Sequence, residues 1–492
     1  EDTLSLHDAL PILRGRTSGA AMSGVSGLTT APILPTIWRL SLPNLLAMVA
    51  TAMVSVAETT YVGQLGTAAL AGMALVFPMV MLQQMLSSGA MGGGISSAIS
   101  RALGAGNEAR ANDLVLHAVL ISLGLGLLFT VLIGGFGVAL FSLFGGQGEA
   151  LQACLEYAHV AFAGSASLWV TNAFASALRG SGNMKTPSTT LLLVALAQMV
   201  IGGVMGLGWG PIPRGGMGGV AMGQVLAFSL GGIYLGWHLL SGQGRVRLNV
   251  RTTLRRDCFN DILRVGAVAS ISSIQTVLTI VILTRIVSSF GMEALAGYGI
   301  GTRLEFLLVP VTFAIGVACV PMVGMSIGAG LVPRARQVAW TGAVLSAVMV
   351  GSLGFLVSWF PDQWSRLFTD QAEVIQYAQS YFTWVAPAYP FFALGLCLYF
   401  ASQGAGRLLG PVLACGSRRL SSAGDGSRPR RPPSARASSC RSGRSPSRES
   451  RGSHDNDPCR DGRVGSLDRR RAGAGRPCGG HAHDPREHED GD

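Results

Sequence analysis

The sequence predicts an all-α polytopic membrane protein made of two pseudo-symmetric six-helix lobes, a parallel repeat whose second copy is truncated after its fourth helix. Three observations predict it. Of 492 residues, 49% are hydrophobic and only 13% charged, whereas soluble globular chains carry about 25% charged residues. Ten apolar stretches are each long enough to cross a bilayer, which takes roughly 20 residues. The chain also repeats itself at a spacing of 224–225 residues.

The net charge of +11 is unevenly spread: residues 416–492 hold 17 Arg and 11 acids, whereas residues 22–415 carry 30 charges in 394 positions. From the N-terminus, residues 1–21 (EDTLSLHDALPILRGRTSGAA) lack a basic segment followed by a long apolar one, so they are not a signal peptide. They are expected to be a non-native extension ahead of a start at Met22. Spans are expected near 37–62, 67–99, 113–139, 150–178, 187–208, 217–240, 262–290, 293–326, 337–360 and 374–403. The first six make an N-lobe (22–240), residues 241–257 a linker, and the last four a C-lobe (258–414). Pro78 and the glycine run Gly89–Gly94 fall in the second span, Pro310 and Pro321 in the eighth. Breaks are expected there, tolerated where neighbours or a cavity satisfy the freed backbone.

Arginine placement sets orientation. Alternate loops carry Arg101 and Arg110, Arg179 and Lys185, the cluster Arg245 to Arg256, Arg334 and Arg336, and Arg407; the intervening loops carry only Arg214 and Arg366. The first set is therefore expected in the cytoplasm together with the N-terminus, in a bacterial inner membrane. Trp209, Trp359 and Trp364 fall near the opposite ends, where an aromatic belt belongs.

The repeat pairs Ala69-Leu70-Ala71-Gly72 with Ala294-Leu295-Ala296-Gly297, Gly104-Ala105-Gly106 with Gly328-Ala329-Gly330, Arg110 with Arg334, Tyr157 with Tyr381, and Gly180, Gly182 and Pro187 with Gly404, Gly406 and Pro411. Six spans is an even number, so both halves face the same way, related by an axis along the membrane normal, with a ligand site expected between them. Residues 187–240 should have counterparts at 411–464, yet those positions are polar, and after Ala414 there is no Ile, Phe, Trp, Tyr or Met. Such a composition cannot bury a core. The tail 415–492 is expected to be disordered and out of frame.

The chemistry-bearing residues are few. The eight cysteines form no CxxC and are expected to be free thiols; no metal site is expected. There is no P-loop, HExxH or GxSxG, so the chain reads as a non-enzyme without an organic cofactor. Glu58, about 20 residues into the first span, is the foremost candidate. A charged carboxylate in a low-dielectric bundle costs several kcal/mol, a cost removed when it binds a proton or cation; the alternative is an acid reaching water at the membrane edge. Arg303 and Glu305 are two apart, so they point about 200° apart on a helix and each needs its own partner or a wet cavity. Asn172 and Gln198 can bond Glu58 or a substrate, or act as interhelical glue. Gln83 and Gln84, with Met79, Met81 and Met85, can line a cavity or simply pack. His117 and His159 are isolated, and Arg285 is expected to snorkel.

The segments SVAETTYVGQLGTAALAGMALVFP, GAGNEARA, ALRGSGNMKTP, GLGWGPIP, AGYGIGTRLEFLLVPVTFAIG and GMSIGAGLVPRAR resemble the multidrug and toxic compound extrusion (MATE) transporters over residues 33–411. The resemblance implies twelve helices in two lobes and export of organic cations in exchange for H⁺ or Na⁺. It places the family's coupling acid of helix one on Glu58. The family's Asn and Asp of helix five fall on Gln198 and Gly202, so a second carboxylate is missing there, which fits proton coupling better than a multi-carboxylate cage.

The expected function is therefore secondary active efflux of amphipathic or cationic drugs by alternating access, by a monomer in the lipid bilayer, with no nucleic acid partner. Two alternatives stay open. One is a flippase for a lipid-linked glycan. The other is an inactive truncated product with a basic tail that binds nucleic acid or anionic lipid.

Overall fold

The computed structural model describes residues 28–209 and 213–408, the side chain of Val281 excepted; the expectations for residues 1–21, for the tail 415–492 and for its cysteines lie outside them. Helix α1 (Ile33–Leu65) buries Ile37, Leu40, Asn44, Ala47, Ala50, Val54, Glu58 and Val62. These recur every three or four residues and so form one stripe. The opposite stripe, with Leu42, Leu46, Val49, Met53 and Val56, is exposed, as suits a face turned to lipid. Helix α2 (Thr67–Gln84) passes through a π-helical turn at Met85–Met91 into α3 (Gly92–Gly104). The expected break at Pro78 does not occur; the irregularity falls where the glycine run begins, since the π-turn takes in Gly89, and the rest of the run packs closely: a Cβ on Gly94 would lie 2.8 Å from the Ile262 carbonyl oxygen.

After α4 (Glu108–Leu143), the expected span at 150–178 is two helices, α5 (Gly148–Ala163) and α6 (Ser165–Gly180). The chain breaks at Gly164, where Val225 presses so close that a Cβ would lie 3.0 Å from its Cβ. The Thr130 hydroxyl donates to the Phe162 carbonyl at 2.6 Å, satisfying a group at the broken helix end. Next come α7 (Lys185–Leu207), α8 (Gly216–Leu240), α9 (Arg256–Ser288), α10 (Met292–Gly328), α11 (Val332–Trp359), the short α12 (Pro361–Arg366), and α13 (Ala372–Val385) joined by a 3-10 turn to α14 (Tyr389–Gly404). Helix α10 is continuous through Pro310 and Pro321. Among the described residues, nine helical segments are long and apolar enough to cross a membrane; the tenth expected span is the broken pair α5–α6.

The repeat is visible in three dimensions. A Cβ on Gly72 would lie 2.7 Å from Cys154 N and 3.0 Å from Ala150 O; on Gly297 it would lie 3.0 Å from Ala378 N and Val374 O. Gly180 presses on Ser96, and Gly404 on Val320. Every partner is displaced by the same 224 or 225 residues. Between the halves, Gly104 abuts Met325 (Cβ to C, 2.8 Å) and Gly328 abuts Arg101 (Cβ to C, 3.0 Å). Residues 101 and 104 correspond to 325 and 328, so these reciprocal contacts lie across a pseudo-two-fold axis.

The lobes thus meet through the arginine-rich ends of α3 and α10. The Ser97 hydroxyl donates to the Gln403 carbonyl, and Arg110 pairs with Asp261 across the same side. Helix α2 packs chiefly on α5 of its own lobe, while the π-turn that follows it packs on α9 of the other lobe. The seam is closed at the arginine-rich end.

The linker is pinned to the N-lobe. His117, fully buried, accepts at Nε2 from the Arg255 backbone N–H (2.9 Å), and its Nδ1 lies 2.7 Å from the Asp113 carbonyl. Both ring nitrogens are occupied by backbone, which gives His117 an anchoring role.

Candidate functional site

The buried stripe of α1 carries one acid. Glu58 is 6% exposed, so it does not reach water. Gln198 of α7 donates from Nε2 to Glu58 Oε1 at 2.8 Å. The stripe packs on α7 through Ala50, Val54 and Ala195, which brings the two polar groups together. Helices α7 and α8 approach closely through small residues: a Cβ on Gly223 would lie 2.6 Å from Gly202 Cα. Gly202 is the position where the MATE resemblance places an acid; a Cβ there would lie 3.3 Å from the Val220 carbonyl oxygen and 4.0 Å from Gly223 Cα, and this chain carries no second carboxylate at it. Tyr157 of α5 lies within electrostatic reach of Glu58, and its hydroxyl is 3.5 Å from Gln224 Oε1. Neither Tyr157 nor Gln224 was among the sequence candidates, although Tyr157 is a repeat-matched position.

Gln198→Leu is expected to leave Glu58 unsatisfied at a cost of about 1–3 kcal/mol, read as a lower unfolding midpoint of the purified protein. The cost should be smaller in a Glu58→Leu background, which has no acceptor for the amide. Additive effects would contradict a direct bond.

The other candidates are more dispersed. Asn172 does not reach Glu58; its amide donates to the Ser87 hydroxyl at 2.7 Å. Gln83 is 2% exposed and accepts from Ser165 at 3.1 Å. Both polar groups hold α6 against the π-turn side of the same lobe, while Asn172 Oδ1 has no hydrogen-bond partner among the described residues. Gln84 is half-buried beside them, and its backbone carbonyl accepts from Ser88. Arg303 and Glu305 face apart as their spacing requires. Arg303 sits over the Phe368 ring, 4.6 Å from its centroid. Glu305 accepts from the Tyr381 hydroxyl at 2.5 Å, with Tyr389 in electrostatic reach. Tyr381 is the repeat counterpart of Tyr157, so each lobe sets an equivalent tyrosine near an acid, although the acids come from non-equivalent helices. Tyr381→Phe is expected to cost about 1–3 kcal/mol, the price of an unpaired charged acceptor, in a thermal melt; an unchanged midpoint would show that water replaces the hydroxyl.

Among the described residues no group of His, Cys, Asp and Glu could hold a metal ion, and Cys154, Cys258, Cys319 and Cys397 are buried free thiols.

Comparison with known proteins accords with this architecture. The MatE family profile matches residues 43–204 and 269–418. The chain is 26% identical over 386 residues to a FAD transporter of Shewanella oneidensis, covering 76% of this chain and 83% of that one. It is also 26% identical over 381 residues to a probable multidrug resistance protein, NorM, of Thermotoga maritima, covering 76% and 81%. Among solved structures, the outward-facing conformation of a multidrug resistance MATE family transporter of the MOP superfamily superposes with a TM-score of 0.71 at 24% identity, over 79% of this chain and 86% of that one. With the profile matched over more than half its length, this multi-pass membrane chain belongs to the MatE family of transporters.

Proposed function

We propose that this transporter is a secondary active exporter that couples efflux of amphipathic, cationic small molecules to entry of a cation, with Glu58 as the coupling group. One observation carries the reading. Glu58 is buried with an amide from Gln198 as its recorded hydrogen-bond partner, and neither ion pair found among the described residues involves it. A buried carboxylate without a cationic neighbour is costly when charged, so it favours binding a cation and is discharged by it. A proton needs a single acceptor, whereas Na⁺ needs several oxygen ligands; one carboxylate beside an amide favours H⁺.

With the arginine-rich loops in the cytoplasm of a bacterial inner membrane, the closed seam makes this the outward-facing state. Glu58 takes up a proton there as substrate leaves. In the inward-facing state the proton leaves and new substrate binds. The two ligands favour different states, so one gradient drives the other. The protein acts as a monomer in this reading.

The test is ethidium efflux from a bacterial strain lacking its major exporters. Expression of the full chain should speed efflux, and a protonophore should abolish the gain. Protonophore-resistant efflux that stops when the Na⁺ gradient is collapsed would contradict proton coupling; no gain would contradict drug export.

A second reading is favoured by the similarity to the Shewanella FAD transporter: export of a flavin dinucleotide. Flavin accumulation in the medium, without increased drug tolerance, would select it.

A further inference from the structure

Arg179 is a repeat position at which the lobes differ, since its counterpart is Gln403. It lies in the last turn of α6 and is 6% exposed. Its Nε has no hydrogen-bond partner among the described residues, and neither ion pair found there includes it. The side chain lines a cavity at the lobe seam with room for about one water-sized body. Ser88, Ser96 and Ser176 of the N-lobe line it too, closed over by Val317 and Phe400 of the C-lobe. Ser96 spends its proton on the Ser176 carbonyl at 2.6 Å, and Ser88 on the Gln84 carbonyl at 2.8 Å. The Ser176 hydroxyl has no hydrogen-bond partner among the described residues, so it is a second unused donor there.

A guanidinium stays charged in proteins, and burying it unpaired costs several kcal/mol. The carbonyl end of α6 offsets only about half a charge. The cavity therefore offers a fixed positive charge, a free hydroxyl donor and space for one small body. We infer that Arg179 and Ser176 form a site for a halide-sized monoanion. Because Val317 and Phe400 come from the other lobe, the site is complete only while the seam is shut. The anion thus binds the closed-seam state and stabilises it by mass action. This inference is independent of the substrate and the coupling ion.

The test uses the purified full chain at constant ionic strength and follows its unfolding midpoint in sodium chloride, bromide, phosphate and gluconate. Chloride and bromide should raise the midpoint saturably; phosphate and gluconate, too large for the cavity, should not. Arg179→Met should abolish the halide effect. Ser176→Ala, a milder change that keeps the charge, should weaken apparent halide affinity about tenfold, the equivalent of one hydrogen bond. Crystals grown in bromide should show anomalous signal beside Arg179. A wild-type midpoint indifferent to halide, equal stabilisation by phosphate, or a halide effect unchanged in Ser176→Ala with no bromide at Arg179 would overturn the site.

Discussion

Glu58→Gln is expected to reduce export to the level of cells without the protein while leaving the amount in the membrane unchanged. Glutamine is nearly isosteric and still accepts the Gln198 amide bond of 2.8 Å, so the α1–α7 contact survives. What it loses is the ability to exchange a proton. A group that cannot change charge binds both states alike, and a ligand without differential affinity shifts no equilibrium. Glu58→Asp should retain partial activity, because the acid remains but its shorter arm withdraws from Gln198. The readouts are ethidium efflux and membrane-fraction immunoblotting. Wild-type efflux by Glu58→Gln would remove Glu58 from the coupling step.

Gly104→Leu and Gly328→Leu are expected to hold the arginine-rich end of the seam open. Even a methyl at either position would lie about 3 Å or less from main-chain atoms of the opposite lobe, Met325 in one case and Arg101 in the other, and main chain yields little. Overpacking costs roughly 1–3 kcal/mol, here charged to the closed state alone, which is about a 5- to 150-fold shift between states. Transport should fall, and cysteines placed at the seam should become more reactive to a hydrophilic maleimide added from the arginine-rich side. The reciprocal contacts make the two variants alike. Gly297→Leu, whose clash with Ala378 and Val374 lies within one lobe, should lower stability without this gain in labelling. Equal labelling in all three would contradict a seam-specific role.

Much of this architecture was legible in the sequence because membranes impose simple rules. Length and apolarity placed the spans, and arginines separated the two ends of the bundle. The repeat survived because its matched residues are glycines at helix crossings, where the backbone of a neighbour leaves no room for a side chain. Gln198 was found because a polar residue at membrane depth must find a partner. The sequence was less informative wherever a contact depends on relative helix rotation. Asn172 looked as able as Gln198 to reach Glu58, yet it faces Ser87. At the break, Gly164 packs against Val225, 61 positions away, a contact that nothing local to 150–178 announces. Pro78 was expected to interrupt a helix that runs on, the irregularity falling instead at the π-turn Met85–Met91. Tyr157 and Tyr381 were visible as matched residues, but their nearness to acids follows only from packing. Arg179 read as one more loop arginine because its burial depends on the second lobe closing over it.

In the proposed cycle a cation gradient is exchanged for a substrate gradient through this chain. The most direct measurement reconstitutes the purified full chain in proteoliposomes carrying a pH-sensitive dye inside, and adds a lipophilic organic cation with and without an imposed pH gradient. An outward proton gradient should drive cation uptake above its electrical equilibrium, substrate added to one side should move protons to that side, and both flows should vanish together in Glu58→Gln. Substrate movement that neither requires nor produces proton or Na⁺ flow would contradict the cycle.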